Sequence, residues 1–182
     1  MKVSTGKFKQ TKLLSPKVKN SRPTDNKVKE AIMDMLYPLE KDYLMLDLFS
    51  CTGQMGIEFL SRGTKKVYFN EINRSNFKLL KQNLDKFEGI DYECFNNDFR
   101  TTLKILSTKK INFRYIYLDP PYKSDYVDKS LKLIIKYDLL NSIGLIITEM
   151  DVDVNFNHIY PQLEVIKEKK YGRKYIKFYK KI

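Results

Sequence analysis

The chain has 182 residues, 42% of them hydrophobic and 13% aromatic, and 34 Lys and Arg against 22 Asp and Glu give it a net charge of +12. That length and apolar content fit one folded domain with a buried core and exclude a disordered chain. Two cysteines and one histidine without metal-type spacing exclude a zinc set and an obvious Cys–His pair, and no apolar run approaches the ~20 residues of a membrane helix. No apolar stretch follows the basic N-terminus, so a reduced, cytoplasmic setting is expected.

The charge is unevenly placed. Residues 1–29 hold nine Lys and Arg against Asp25 alone, and residues 164–182 hold eight against Glu164 and Glu168, which leaves the body between them close to neutral. Two basic ends on a near-neutral body point to a polyanion laid across part of the surface. Residues 1–24 read as a basic extension sprinkled with apolar residues (Val3, Phe8, Leu13, Leu14, Val18), where Gly6 could turn a short hairpin. After Arg22-Pro23-Thr24 the spacing of Val28, Ile32, Met35 and Leu36 predicts a helix over about 25–37, capped by Thr24 or Asp25 and ended by Pro38. Lys27 and Lys29 fall off that apolar face, toward solvent or a ligand.

From residue 43 onward short apolar runs (43–48, 66–70, 91–95, 114–118, 143–149) alternate with helical patterns at 53–62, 73–86, 98–107 and 125–138. That alternation predicts a parallel sheet with helices on both faces, a domain spanning 25–182. The last third differs. Two β-rich runs, 162–168 and 174–181, joined around Gly172, predict an antiparallel hairpin at the sheet edge.

Ligands of open α/β sheets bind beyond the C-terminal strand ends. Four acidic features fall at such ends: Asp47 with the turn Phe49-Ser50-Cys51-Thr52-Gly53, Glu71 with Ile72, Asp98 with Phe99, and Asp119-Pro120-Pro121-Tyr122. The first strand, its small-residue turn and the helix after Gly53 form a place where a nucleotide-like ligand can dock against free N–H groups. Asp47 and the turn would hold the methionyl or sugar part of a nucleoside ligand, Glu71, 18 residues past Gly53, its ribose hydroxyls, and Asp98 an adenine amine. The Asp119 turn is stiff, because both prolines lack an N–H and hold φ near roughly −65°. It offers acceptors and few donors, which suits a planar exocyclic amine. Tyr122 adds a face on which a base can stack.

The series Asp47…Gly53-x-x-Gly56, Glu71, Asp98, Asp119-Pro120-Pro121-Tyr122 resembles the S-adenosylmethionine-dependent methyltransferases that modify exocyclic amines of nucleobases. More narrowly, Arg22-Pro23-Thr24, Leu46-Asp47-Leu48-Phe49 and Glu58-Phe59-Leu60-Ser61-Arg62-Gly63 are similar to the bacterial family that methylates a guanine N2 in small-subunit (16S) ribosomal RNA, over about residues 6–182. The resemblance implies a Rossmann-like class I methyltransferase fold with a seven-stranded, mostly parallel sheet. It also implies S-adenosylmethionine as cofactor, ribosomal RNA or an assembling small subunit as partner, and no metal; a monomer is expected. Asp119, Pro120, Pro121 and Tyr122 would then handle the target amine and base. The ends offer Lys7, Lys9, Arg22, Thr24, Lys27, Lys29 and Arg173, and the Asp119 turn offers Lys123, as candidate RNA contacts. The family usually has Ala-Gly-Ser-Gly where this chain has Ser50-Cys51-Thr52-Gly53, and often arginine where Lys27 and Lys29 stand. Two other readings stay open: a DNA adenine-N6 methyltransferase, and an inactive nucleic-acid-binding protein on the same fold.

Overall fold

A computed structural model describes residues 1–16, 26–121, 125–151 and 159–182. In chain order the elements are α1 (Asn26–Met35), β1 (Leu44–Asp47), α2 (Gln54–Ser61), β2 (Lys66–Asn70), α3 (Arg74–Leu84), β3 (Tyr92–Phe95) and α4 (Phe99–Thr108). They continue with β4 (Phe113–Leu118), α5 (Tyr126–Lys136), β5 (Leu140–Asp151), β6 (Leu163–Tyr171) and β7 (Lys174–Lys181). The seven strands form one sheet in the order β3-β2-β1-β4-β5-β7-β6. β1 to β5 pair in parallel, while β7 runs antiparallel to both β5 and β6. The fold is therefore the Rossmann-like α/β sheet with a C-terminal antiparallel hairpin that the alternating pattern and the family resemblance implied. Within that hairpin the chain's last strand lies inside and β6 takes the edge.

Alternate side chains of each central strand enter two separate cores. Met45, Val67, Phe69, Tyr115, Tyr117 and Ile147 face α1, α2 and α3. Leu46, Leu48, Tyr68, Ile116, Leu118 and Ile146 face α4 and α5. A strand buried on both faces has no polar side to present, which is why runs such as 44–46 and 115–118 read as unbroken apolar stretches. Each fully buried Leu, Ile or Phe contributes about 1.5–3 kcal/mol relative to exposure.

The N-terminal residues join the first core. Val3 and Leu13 are buried, an antiparallel bridge links Lys2 to Lys12, and across the turn between them the Val3 N–H donates to the Thr11 carbonyl and the Gln10 N–H to the Val3 carbonyl. Phe8 packs on Phe87 with ring centroids 4.5 Å apart. Asn83 on α3 clasps Leu14 from both sides, accepting from its N–H and donating to its carbonyl. No helix among the described residues is long and apolar enough to cross a membrane.

Candidate active site

The strand order reverses between β1 and β4, and the chain diverges to opposite faces there. This opens a crevice at the C-terminal strand ends. A cavity of about 510 Å³ occupies it. Leu48, Phe49 and Cys51 come from the β1 end, Asn70 to Asn73 from the β2 end, Asp98 and Phe99 from the start of α4, and Asp119 to Pro121 from the β4 end. Asn76 on α3 and Tyr126 on α5 complete the wall.

The turn after β1 is held by a closed set of hydrogen bonds. Ser50 Oγ donates to the Asp47 carbonyl at 2.7 Å and accepts from Asn70 N–H at 3.1 Å. Asn70 donates its side-chain amide to Leu48 O and accepts from Thr102 Oγ1 at 2.6 Å. Gly53 starts α2 at φ 81°, and a Cβ there would meet Leu80 Cδ1 at 2.4 Å. At Gly56 a Cβ would strike the Phe69 ring at 2.1 Å, so α2 lies close over β2 only because this position lacks a side chain. Cys51 stands in the left-handed region at φ 49°, a conformation that favours glycine. That position is the one at which the family pattern usually has glycine. Burial, and next the charge of Glu71, push the Cys51 thiol up to about 11, so it stays protonated and is a poor nucleophile.

Glu71 reaches back across the turn. Its Oε2 accepts from Cys51 N–H at 2.8 Å and its Oε1 from Asn73 N–H at 2.7 Å. Burial raises its pKa, and the two N–H donors counter that in part. Asn73 caps α3 by accepting from Ser75 and Asn76 N–H. Asp98 caps α4 by accepting from Arg100 N–H at 2.9 Å, and the Arg100 guanidinium holds its pKa down. Phe49, Phe99 and Tyr126 form an aromatic group, with Phe49 and Tyr126 stacked at 6.2 Å and Phe99 5.1 Å from Tyr126.

Asp47 lies behind the wall, 1% exposed. Its Oδ2 accepts from Gly56 N–H at 3.0 Å, while Oδ1 is buried without a hydrogen-bond partner. Burial pushes its pKa up to about 7, with the Gly56 N–H opposing and the Glu71 charge adding. At the β4 end the Asp119 side chain is 23% exposed, and Lys174 Nζ stands 3.6 Å from its Oδ1. Burial and then the Glu149 charge raise the Asp119 pKa well above the usual range, and Lys174 opposes them.

The fold thus gathers Phe49, Cys51, Glu71, Ile72, Asp98, Phe99, Asp119, Pro120 and Pro121 around one cavity. Asp47, Ser50, Thr52 and Gly53 shape the turn from behind. Thr52 is buried, with its carbonyl accepting from Asn83, and none of the four lines the cavity. Arg22, Thr24, Tyr122 and Lys123 lie outside the described residues. Lys7, Lys9 and Lys27 are exposed. Arg173 is 67% exposed at the hairpin tip, where it pairs with Asp151 at 3.6 Å. Lys29 requires a correction. It is fully buried, 3.1 Å from Glu58 Oε2 and donating to the Lys2 carbonyl, so it fastens the N-terminal segment rather than reaching a ligand. Helical spacing alone turned it outward; the N-terminal segment folds over that side of α1 and buries it. Missed from the sequence were Asn70, Asn73, Asn76 and Tyr126. Of these only Asn73, a helix cap two residues past Glu71, left a local signal.

Comparison with known proteins adds kinship to this geometry. The family described as Conserved hypothetical protein 95 matches residues 1–180. The chain belongs to this family. YlbH of Bacillus subtilis, named as an rRNA methyltransferase, is 33% identical over 182 residues, covering all of this chain and 99% of its own. Ribosomal RNA small subunit methyltransferase D of Haemophilus influenzae is 29% identical, over 84% of this chain and 80% of its own. Among solved structures, the yhhF protein of Escherichia coli superposes with a TM-score of 0.88 at 23% identity, over 100% of this chain and 97% of its own. That likeness bears on the fold. The family resemblance stated from the sequence therefore leads to the right family.

Proposed function

We propose that this chain transfers a methyl group from S-adenosylmethionine to the N2 amine of a guanine in small-subunit ribosomal RNA. The observation that carries the reading is the joining of two unlike walls in one cavity. Glu71, Ile72, Asp98 and Phe99 form one wall, and the acceptor-rich turn Asp119-Pro120-Pro121 forms the other. The names of the relatives support its coarser part, methylation of ribosomal RNA.

The residues present fit S-adenosylmethionine. The cavity volume lies within the range of small-molecule sites. Acceptors at Glu71 and Asp98 suit ribose hydroxyls and an adenine amine, Ile72 and Phe99 offer apolar faces to a base, and the unpartnered Asp47 Oδ1 lies behind the same turn. When bound, this cofactor supplies a methyl group on a sulfonium, open to attack by a nitrogen lone pair. The chain's own task is placement. Asp119 Oδ and the Pro120 carbonyl accept from the two N–H groups of the exocyclic amine and aim its lone pair into the cavity. As the nitrogen gains positive charge, the Asp119 carboxylate stabilises it, and the surplus proton leaves by that carboxylate or to water. A guanine must leave its stack to bring N2 here, so an unpaired or flipped base is the substrate form.

Incubation with labelled donor and ribosomal RNA, partly assembled subunits or DNA, followed by nucleoside analysis, tests this. N2-methylguanosine in the RNA is expected. Label in DNA as N6-methyladenine would replace the reading with the DNA enzyme, and no label anywhere with a non-catalytic binding protein. Asp119→Ala should lower turnover by on the order of 10², with little change in donor or RNA affinity.

A further inference from the structure

The acceptor side of the cavity is backed by a buried polar cluster that none of the steps above uses. Glu149 on β5 has a fully buried carboxylate. Its Oε2 accepts from the Tyr117 hydroxyl at 2.7 Å, and its Oε1 accepts from Lys174 Nζ at 2.5 Å. The same Lys174 ammonium lies 3.6 Å from Asp119 Oδ1. Three strands meet here. Tyr117 and Asp119 belong to β4 and its end, Glu149 to β5, and Lys174 opens β7, pairing with Asp151 in register and so lying diagonal to Glu149.

We propose that Lys174, delivered by the C-terminal hairpin, is a positioning residue whose ammonium, set between Glu149 and Asp119, offsets the crowding of negative charge there and holds the Asp119 carboxylate toward the target amine. This role rests on the methyl transfer proposed above. The physical reason is the neighbourhood of Asp119. Glu149 approaches from β5 and Asp47 from β1, the Cys51 thiol lies across the cavity, and the Tyr117 phenol lies on its own strand. Like charges crowded in a desolvated crevice favour protonation, and an intervening cation opposes it. Lys174 is the cation placed between Asp119 and Glu149. Its contact with Glu149 is short and anchored from behind by Tyr117. At the longer 3.6 Å distance it acts on Asp119 mainly through charge, leaving that carboxylate able to accept from an amine. A protonated Asp119 would have one acceptor fewer and no charge to meet the positive nitrogen, so loss of the cation should appear as a change in pH dependence.

The test compares the full-length protein with Lys174→Met, Lys174→Arg and Glu149→Gln, each checked for a cooperative thermal melt. The pH profile of kcat for RNA methylation is measured beside a ¹³C carboxyl titration of Asp119, assigned with Asp119→Asn. Lys174→Met should move the ascending limb and the Asp119 titration to higher pH by about one unit or more, with activity recovering at alkaline pH. Lys174→Arg should hold the wild-type limb. Glu149→Gln should move it to lower pH, so the proposal can be judged even where Lys174→Met fails to fold. An unmoved limb or titration in folded variants of an active enzyme overturns the role of Lys174 alone. A wild-type protein that methylates no nucleic acid overturns the functional reading, and this role with it.

Discussion

Replacing Lys29 by methionine decides between two roles for one residue. Read by helical spacing, Lys29 faces outward and meets RNA phosphate. In the structure its ammonium is buried against Glu58 at 3.1 Å. The Glu58 carboxylate in turn accepts from the N–H groups of Ser4 and Thr5 at 3.0 Å each and from Thr5 Oγ1 at 3.2 Å. Lys29 and Glu58 therefore rivet residues 2–5 onto α2. Methionine keeps most of the stem volume and removes the charge, leaving a buried carboxylate with two N–H donors, the Thr5 hydroxyl and Arg62 at 3.7 Å. Removing one partner of a buried pair costs about 3–5 kcal/mol, and the remaining donors place this case near the lower end, at about 3 kcal/mol. For a chain of this size that is roughly a 6–12 °C fall in Tm. Urea unfolding followed by circular dichroism measures the loss, and hydrogen exchange should show the amides of residues 2–5 opening first. A stability loss under about 1 kcal/mol, together with weakened RNA binding, would refute the reasoning and restore Lys29 to the RNA contacts.

Glu71→Gln should weaken S-adenosylmethionine binding by about 1–3 kcal/mol in calorimetry, because a charged acceptor is lost and the clasp on Cys51 and Asn73 loosens. Unchanged affinity in a folded variant would remove Glu71 from the site. Cys51→Gly relieves a left-handed backbone at φ 49° and should leave stability equal or raised by up to about 1 kcal/mol, with donor affinity kept. Loss of activity on that change would reveal a role for the thiol. Asp47 has a folded pKa raised to about 7 against roughly 3.9 when unfolded, so the stability tied to its neutral form is full below pH ~4 and lost as pH rises through about 7. Relative to Asp47→Asn, the wild type should therefore lose stability between those pH values and run parallel above pH ~8, as read from urea midpoints across pH. Curves parallel throughout would show that Asp47 is ionised well below pH 7.

What the sequence by itself determined is local and periodic. Apolar runs separated by amphipathic stretches dictated the α/β order, since a strand buried on both faces and a helix buried on one leave distinct spacings that neighbours in the chain reveal. Acidic residues at or near strand ends marked the side of the sheet that carries the cavity, with Glu71, Asp98 and Asp119 in its wall and Asp47 behind it, because in a parallel sheet every such end lies on the same side. Tertiary structure alone decided the rest. Lys29 was misplaced because no spacing rule can anticipate that residues 2–5 return to cover it, 27 positions away from Lys2 along the chain. Lys174 could not be distinguished among 34 cationic residues, since its meaning lies in hairpin register and in two carboxylates contributed by other strands. Asn70 and Tyr126 reach the cavity only after β2 and α5 are docked. Contacts between residues distant in sequence arise when the sheet closes and two cores fill, and a linear pattern records each partner without recording that they meet.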